Sequence, residues 1–92
     1  MASANVVTLD YTATLEYKNG CFILGRAIIP KANIVACVSR PYGLIMGGGE
    51  WRFMLVGGHE IKIVTDTSGR LRPEEAHDMF VQLCDLLKNL YE

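Results

Sequence analysis

The sequence predicts an α+β domain in which about five to six antiparallel strands form a curved sheet or small roll, packed by one C-terminal α-helix. Three features carry this reading. Apolar and polar residues alternate over 7–17 and again over 51–65. Asn19-Gly20 and Gly57-Gly58 stand where such runs reverse, and a tight hairpin turn needs residues that tolerate positive φ. After Pro73 the apolar spacing changes from two to three and four.

Val7, Leu9, Tyr11, Ala13, Leu15 and Tyr17 alternate with Thr8, Asp10, Thr12, Thr14 and Glu16. That pattern reads as one long strand with a wet face and a dry face. The chain reverses at Asn19-Gly20, and Cys21–Ile29 reads as the returning strand, apolar on both faces except for Arg26. Pro30 has no backbone donor and ends it. Asn33–Val38 is a third strand, short, apolar and partly β-branched. Ser39-Arg40-Pro41-Tyr42-Gly43 breaks it with turn chemistry. Leu44-Ile45-Met46 reads as a short fourth strand, followed by three glycines, Gly47, Gly48 and Gly49. Trp51–Val56 and His59–Thr65 form a hairpin, with Ile61 and Ile63 facing in and Glu60 and Lys62 facing out.

Thr67-Ser68-Gly69 opens a loop that leads to Pro73. Proline suits the first helical position, where its missing N–H has no partner to lose. Glu74 and Glu75 favour the same end through the helix dipole. Ala76, Met79, Phe80, Leu83, Leu86, Leu87, Leu90 and Tyr91 then mark one wide apolar stripe on a helix of about 18 residues. The strands thus occupy about 6–66 and the helix about 73–91, and residues 1–92 read as a single domain. This order of elements resembles that of a small pleckstrin-homology-like roll closed by a C-terminal helix. It also resembles the sheet-plus-helix unit of a group of dimeric single-strand-binding proteins. Both are resemblances of element order and transfer no functional residue.

Composition excludes several classes. Half of the 92 residues are hydrophobic and the net charge is −1, which argues against intrinsic disorder. No apolar run approaches the ~18 residues of a membrane span, and Met1–Asn5 has neither the basic nor the apolar segment of a signal peptide. No membrane partner is therefore expected. Cys21, Cys37 and Cys84 are an odd number without Cys-x-x-Cys spacing, which suits structural thiols in a reducing, cytoplasmic location. The charge is unevenly spread. Glu74, Glu75, Asp78, Asp85 and Glu92 face only Lys88 in the last twenty residues, as the solvated face of a helix would have it.

Motifs for chemistry are weak. Gly47-Gly48-Gly49 lacks the Gly-Lys-Ser/Thr of a phosphate-binding loop and leads into a strand, so it reads as a flexible hairpin loop. His59 and His77 have no companion at ligand spacing, so no metal or other cofactor is expected. Cys37 lies among Ile34, Val35, Ala36 and Val38, where a thiolate is disfavoured. No nucleophile, base and orienting group can be named together, and catalysis is not expected.

Surfaces remain. A two-layer domain covers one face of its sheet, yet 21–38 is apolar on both. Either the sheet closes into a roll or a partner covers the second face, because a large exposed apolar patch marks an interface. The reading is a non-catalytic protein-interaction or self-associating module, whose partner is another protein or a second copy, with Arg26, Ile28, Arg40, Tyr42 and Trp51 as its interaction residues. The alternative is a single-stranded nucleic-acid binder using Arg40, Arg52 and Lys62, since basic residues on a sheet face can track phosphates. Arg52 and Lys62 share the outer face of the 51–65 hairpin, where Glu60 can offset them. A pI near 6.1 argues against this alternative.

Overall fold

The computed structural model describes residues 5–10, 12–43, 45, 47–66 and 71–91. Seven strands and one α-helix are found among them: β1 Asn5–Leu9, β2 Leu15–Lys18, β3 Cys21–Leu24, β4 Ala27–Pro30, β5 Ile34–Pro41, β6 Gly49–Leu55, β7 Glu60–Thr65 and α1 Pro73–Leu86. A single 3-10 turn, Lys31–Asn33, precedes β5, and another, Leu87–Tyr91, continues α1. The strands form two sheets. One has four strands in the order β1-β7-β6-β5, and the other is the meander β2-β3-β4. The fold is α+β as expected, but the strands are divided between two sheets rather than joined in one.

The alternating run 7–17 is not one strand. Within the corner Asp10–Thr14, the Asp10 carboxylate accepts from the Thr12 N–H at 2.8 Å, and the Ala13 N–H donates to the Asp10 carbonyl at 3.0 Å. An aspartate that bonds its own backbone two residues on turns the chain. Leu15 stands six positions after Leu9, so the alternation in the sequence runs on unbroken although the chain turns between the two strands. Val7, Leu9, Ala13, Leu15 and Tyr17 belong to one apolar cluster. Tyr11, Leu44, Met46, the 67–69 loop and Glu92 lie outside the described residues, and so does most of the expected fourth strand. Ile45 itself is in a turn.

The run 21–29 is also two strands. Gly25 takes φ +61°, and the chain reverses at Gly25-Arg26. In the resulting hairpin Phe22 faces Ile29 and Leu24 faces Ala27, while Ile23 faces Ile28. Phe22, Leu24 and Ile29 are buried and Ile28 is exposed. The hairpin therefore sorts an apolar run that showed no period into an inner and an outer face. β1 pairs in parallel with β7, with Val7 opposite Ile63. This brings the first described strand beside the last and was not expected from local turn signals.

α1 closes the core, packing Ala76, Met79 and Leu83 against β2, β6 and β7. Its start follows the sequence. Pro73 is the first residue, and Glu75 reaches back so that the Arg72 N–H donates to its Oε1 at 3.2 Å. That bond and the Arg72 side chain hold the Glu75 carboxyl below the usual carboxylate range. The helical stripe ends in 3-10 geometry, where the Asn89 amide donates to the Leu86 carbonyl at 2.7 Å.

The glycine run is a packing element rather than a flexible loop. Gly47, Gly48 and Gly49 are all buried. A Cβ on Gly47 would stand 2.1 Å from the Pro73 carbonyl oxygen, and one on Gly48 would stand 2.3 Å from Thr65 Oγ1. The Thr65 hydroxyl also accepts from the Gly49 N–H at 3.1 Å. The glycines let β6 begin directly beneath the first turns of α1.

Candidate interaction surface

The four-stranded sheet has α1 and the meander on its inner side. Its outer side carries a short ladder of rows. Val38, Arg52, Lys62 and Val6 form one row across β5, β6, β7 and β1, and Arg40, Glu50 and Val64 form the next. Arg52 and Lys62 stand directly opposite each other, as the alternation implied. Their repulsion is relieved diagonally: Arg52 Nε lies 3.2 Å from Glu60 Oε1, and Lys62 Nζ lies 3.4 Å from Glu50 Oε2. The Arg52–Glu60 pair is partly exposed and adds only about 0–1 kcal/mol, whereas Glu50 is buried beneath Lys62. Burial, and the hydrogen-bonded Glu50 carboxylate, push the Tyr42 phenol up, so it stays protonated and donates to Glu50.

The expected interaction residues do not form one patch. Arg26 lies in the β3–β4 turn, and Ile28 lies on the outer face of the meander beside Ile23. Arg40 and Tyr42 lie at the end of β5. Trp51 is not a surface residue. It is 7% exposed and stacks on Phe80 at 5.0 Å beneath the helix. Its position opposite Ile63 in the inward-facing register puts it there. The nucleic-acid candidates fare differently, since Arg40, Arg52 and Lys62 all line one shallow basin of about 210 Å³, together with Glu50.

The most distinctive surface is the edge of the same sheet. β5 has eight residues and, among the described residues, pairs only with β6. From Ile34 to Ser39 it carries no charge. Val35 is 68% exposed and Val38 is 50% exposed. Edge strands are usually blunted by a charge, a proline or shortness, because their free backbone groups template pairing. Such devices in β5 stand at its ends: Arg40 and Pro41 at one, and at the other a register shift between Ile34 and Ala36 that marks a bulge at Val35.

The direction of the backbone groups follows from one hydrogen bond. The Tyr42 N–H donates to the Gly48 carbonyl at 3.0 Å. An antiparallel ladder alternates, so Arg40, Val38 and Ala36 also address β6, opposite Glu50, Arg52 and Met54. Cys37 and Ser39 then direct their N–H and C=O groups to the open side. Pro41 falls on the open side as well, which is the position where an edge strand tolerates proline. Beside this edge, a groove of about 470 Å³ lies between Val35, Met54 and the Gly57-Gly58 turn.

The inner side of β5 faces the C-terminal segment across a groove lined by Cys37, Ser39, Trp51, Cys84 and Leu87 among others. Burial, and then the neighbouring Cys84, push the Cys37 thiol up to about 11. Cys84 is raised too, by burial first and then by Asp85. Both are thiols, not thiolates, at neutral pH and are poor nucleophiles there. Among the described residues no three His, Cys, Asp or Glu side chains are grouped as metal ligands. No described helix is long and apolar enough to cross a membrane.

The edge was not legible as an edge. The run Ile34–Val38 marks a strand, but its place in the sheet depends on β1 filling the far side beside β7, a pairing between residues more than fifty positions apart. A usable signal was the spacing Cys37, Ser39, Pro41, which puts the proline on one side of a strand. Compared with protein-family models, with curated proteins and with solved structures, the chain matches none of them.

Proposed function

We propose that the protein is a non-catalytic interaction module that adds an extended strand of a partner to the open edge of β5. The observation that carries this reading is that β5 is long, free of charge over Ile34–Ser39 and, among the described residues, unpaired on its Cys37–Ser39 side. Strand addition draws its affinity from main-chain hydrogen bonds and its selectivity from the side chains beside them. The exposed Val35 and Val38 and the adjoining groove would supply the second.

A fluorescent peptide of about eight alternating Val and Thr residues, with a lysine at each end, serves as a generic strand. Its anisotropy is expected to rise saturably with protein concentration. The rise is lost in Ser39→Pro, which removes an outward donor at a position of the kind edge strands give to proline. A flat titration at concentrations where the native chain has a mass near 10.2 kDa, so that no second copy fills the edge, contradicts the reading.

A single-stranded nucleic acid is the second reading, favoured by the convergence of Arg40, Arg52 and Lys62 on one basin. Arg52 and Lys62 are already paired with Glu60 and Glu50, so phosphate contacts there would compete with carboxylates. An oligonucleotide titration without signal at low salt, where such contacts are strongest, ends this second reading.

A further inference from the structure

We infer that the strand accepted by β5 is β5 of a second copy of this chain, running antiparallel about a two-fold axis at Val38. The inference rests on the strand-addition reading and names its occupant.

The edge is complementary to itself. With the axis at Val38, Cys37 falls opposite Ser39 of the second copy, and Ser39 falls opposite its Cys37. These are the residues whose backbone groups address the open side, so both pairs close as hydrogen-bonded pairs. Val38 meets Val38 on the outer face, in a non-hydrogen-bonded pair about 4.5 Å apart at Cα. Each Val38 is half exposed in the single chain and would be covered by the other. Arg40 falls opposite Ala36, so no like charges face each other across the join.

Other registers fit less well. An axis at Cys37 would need hydrogen bonds from Val35, which stands in the bulge where the ladder shifts. An axis at Ser39 would set Cys37 opposite Pro41, which has no N–H to donate. In the Val38 register, Pro41 of the second copy only has to accept. It arrives beside Val35, at the mouth of the groove next to Met54. The two four-stranded sheets then become one continuous sheet of eight strands, and the longest open edge among the described residues disappears.

The test combines mass with crosslinking. Light scattering at increasing concentration is expected to approach twice 10.2 kDa for the native chain. It should stay near 10.2 kDa for Val35→Lys and for Ser39→Pro, two independent changes at the edge. Val38→Cys in a Cys37→Ser background should form a covalent dimer on mild oxidation with diamide, while Cys37→Ser alone should not. Cross-strand Cβ atoms in such a pair are close enough for a disulfide. A native mass of 10.2 kDa at every concentration overturns the inference. If the valine–threonine peptide still binds that monomer, strand addition stands and only the second copy is rejected. A doubled mass that survives both edge variants puts the contact elsewhere and also overturns it. A native dimer that crosslinks through Cys37 moves the axis and rejects the register.

Discussion

Gly47→Ala is expected to destabilise the chain by about 2–5 kcal/mol, the sum of two costs that arise at one atom. Gly47 has φ +70°, where an L-residue loses roughly 1–2 kcal/mol. The added Cβ would also stand 2.1 Å from the Pro73 carbonyl oxygen and 2.8 Å from the Pro73 carbonyl carbon and Cα. Those atoms are backbone at the first turn of α1 and cannot rotate away. Relief requires the helix to shift, and such overpacking costs about 1–3 kcal/mol. Gly20→Ala separates the two effects. Gly20 has φ +76° with nothing within 4 Å of its Cβ position, so only the conformational cost remains. Urea denaturation should show the Gly47 variant clearly less stable than the Gly20 variant. Equal shifts would mean that Gly47 is not a packing contact.

Leu83→Asp is expected to abolish the cooperative folded state. Leu83 is 1% exposed on the inner stripe of α1. Truncation to Ala alone costs about 2–5 kcal/mol at such a site. An aspartate adds a carboxylate to an apolar cluster that contains Leu9, Phe22 and Phe53, with no cation in it. A domain of this size has a total stability of only about 5–14 kcal/mol. Val81 lies two residues earlier and is 43% exposed, so Val81→Asp should stay within about 0.5 kcal/mol of the native chain. Thermal unfolding by circular dichroism reads both variants. A normal melting curve for Leu83→Asp would remove the helix from the core.

These two sites show what the sequence carries and what it hides. The helix was legible because Ala76, Met79, Leu83 and Leu87 repeat at helical spacing after a proline start, and those four residues are the buried ones. The β6–β7 hairpin was legible because alternation and Gly57-Gly58 agree. The corner at Asp10 was hidden because an even-numbered step leaves the alternation intact across it. Gly25 was hidden inside an apolar run, although a lone glycine there is a signal of a bend. The role of Gly47–Gly49 needed the position of α1, which no local pattern supplies. On the surface, the shared outer face of Arg52 and Lys62 followed from parity alone. Trp51, expected among the interaction residues, lies inside because its register sets it opposite Ile63. The β5 edge depends on the parallel β1–β7 pair, a long-range choice that turns and periods do not encode.

The most direct measurement is amide hydrogen exchange at Cys37 and Ser39, compared with Val38 and Arg40 on the same strand. The latter two address β6 in the single chain and should be slow at any concentration. Cys37 and Ser39 are expected to become as slow as their neighbours in concentrated protein and to speed up on dilution, as a second strand comes and goes. Fast exchange at both positions in concentrated protein, with Val38 and Arg40 still protected, would contradict that expectation.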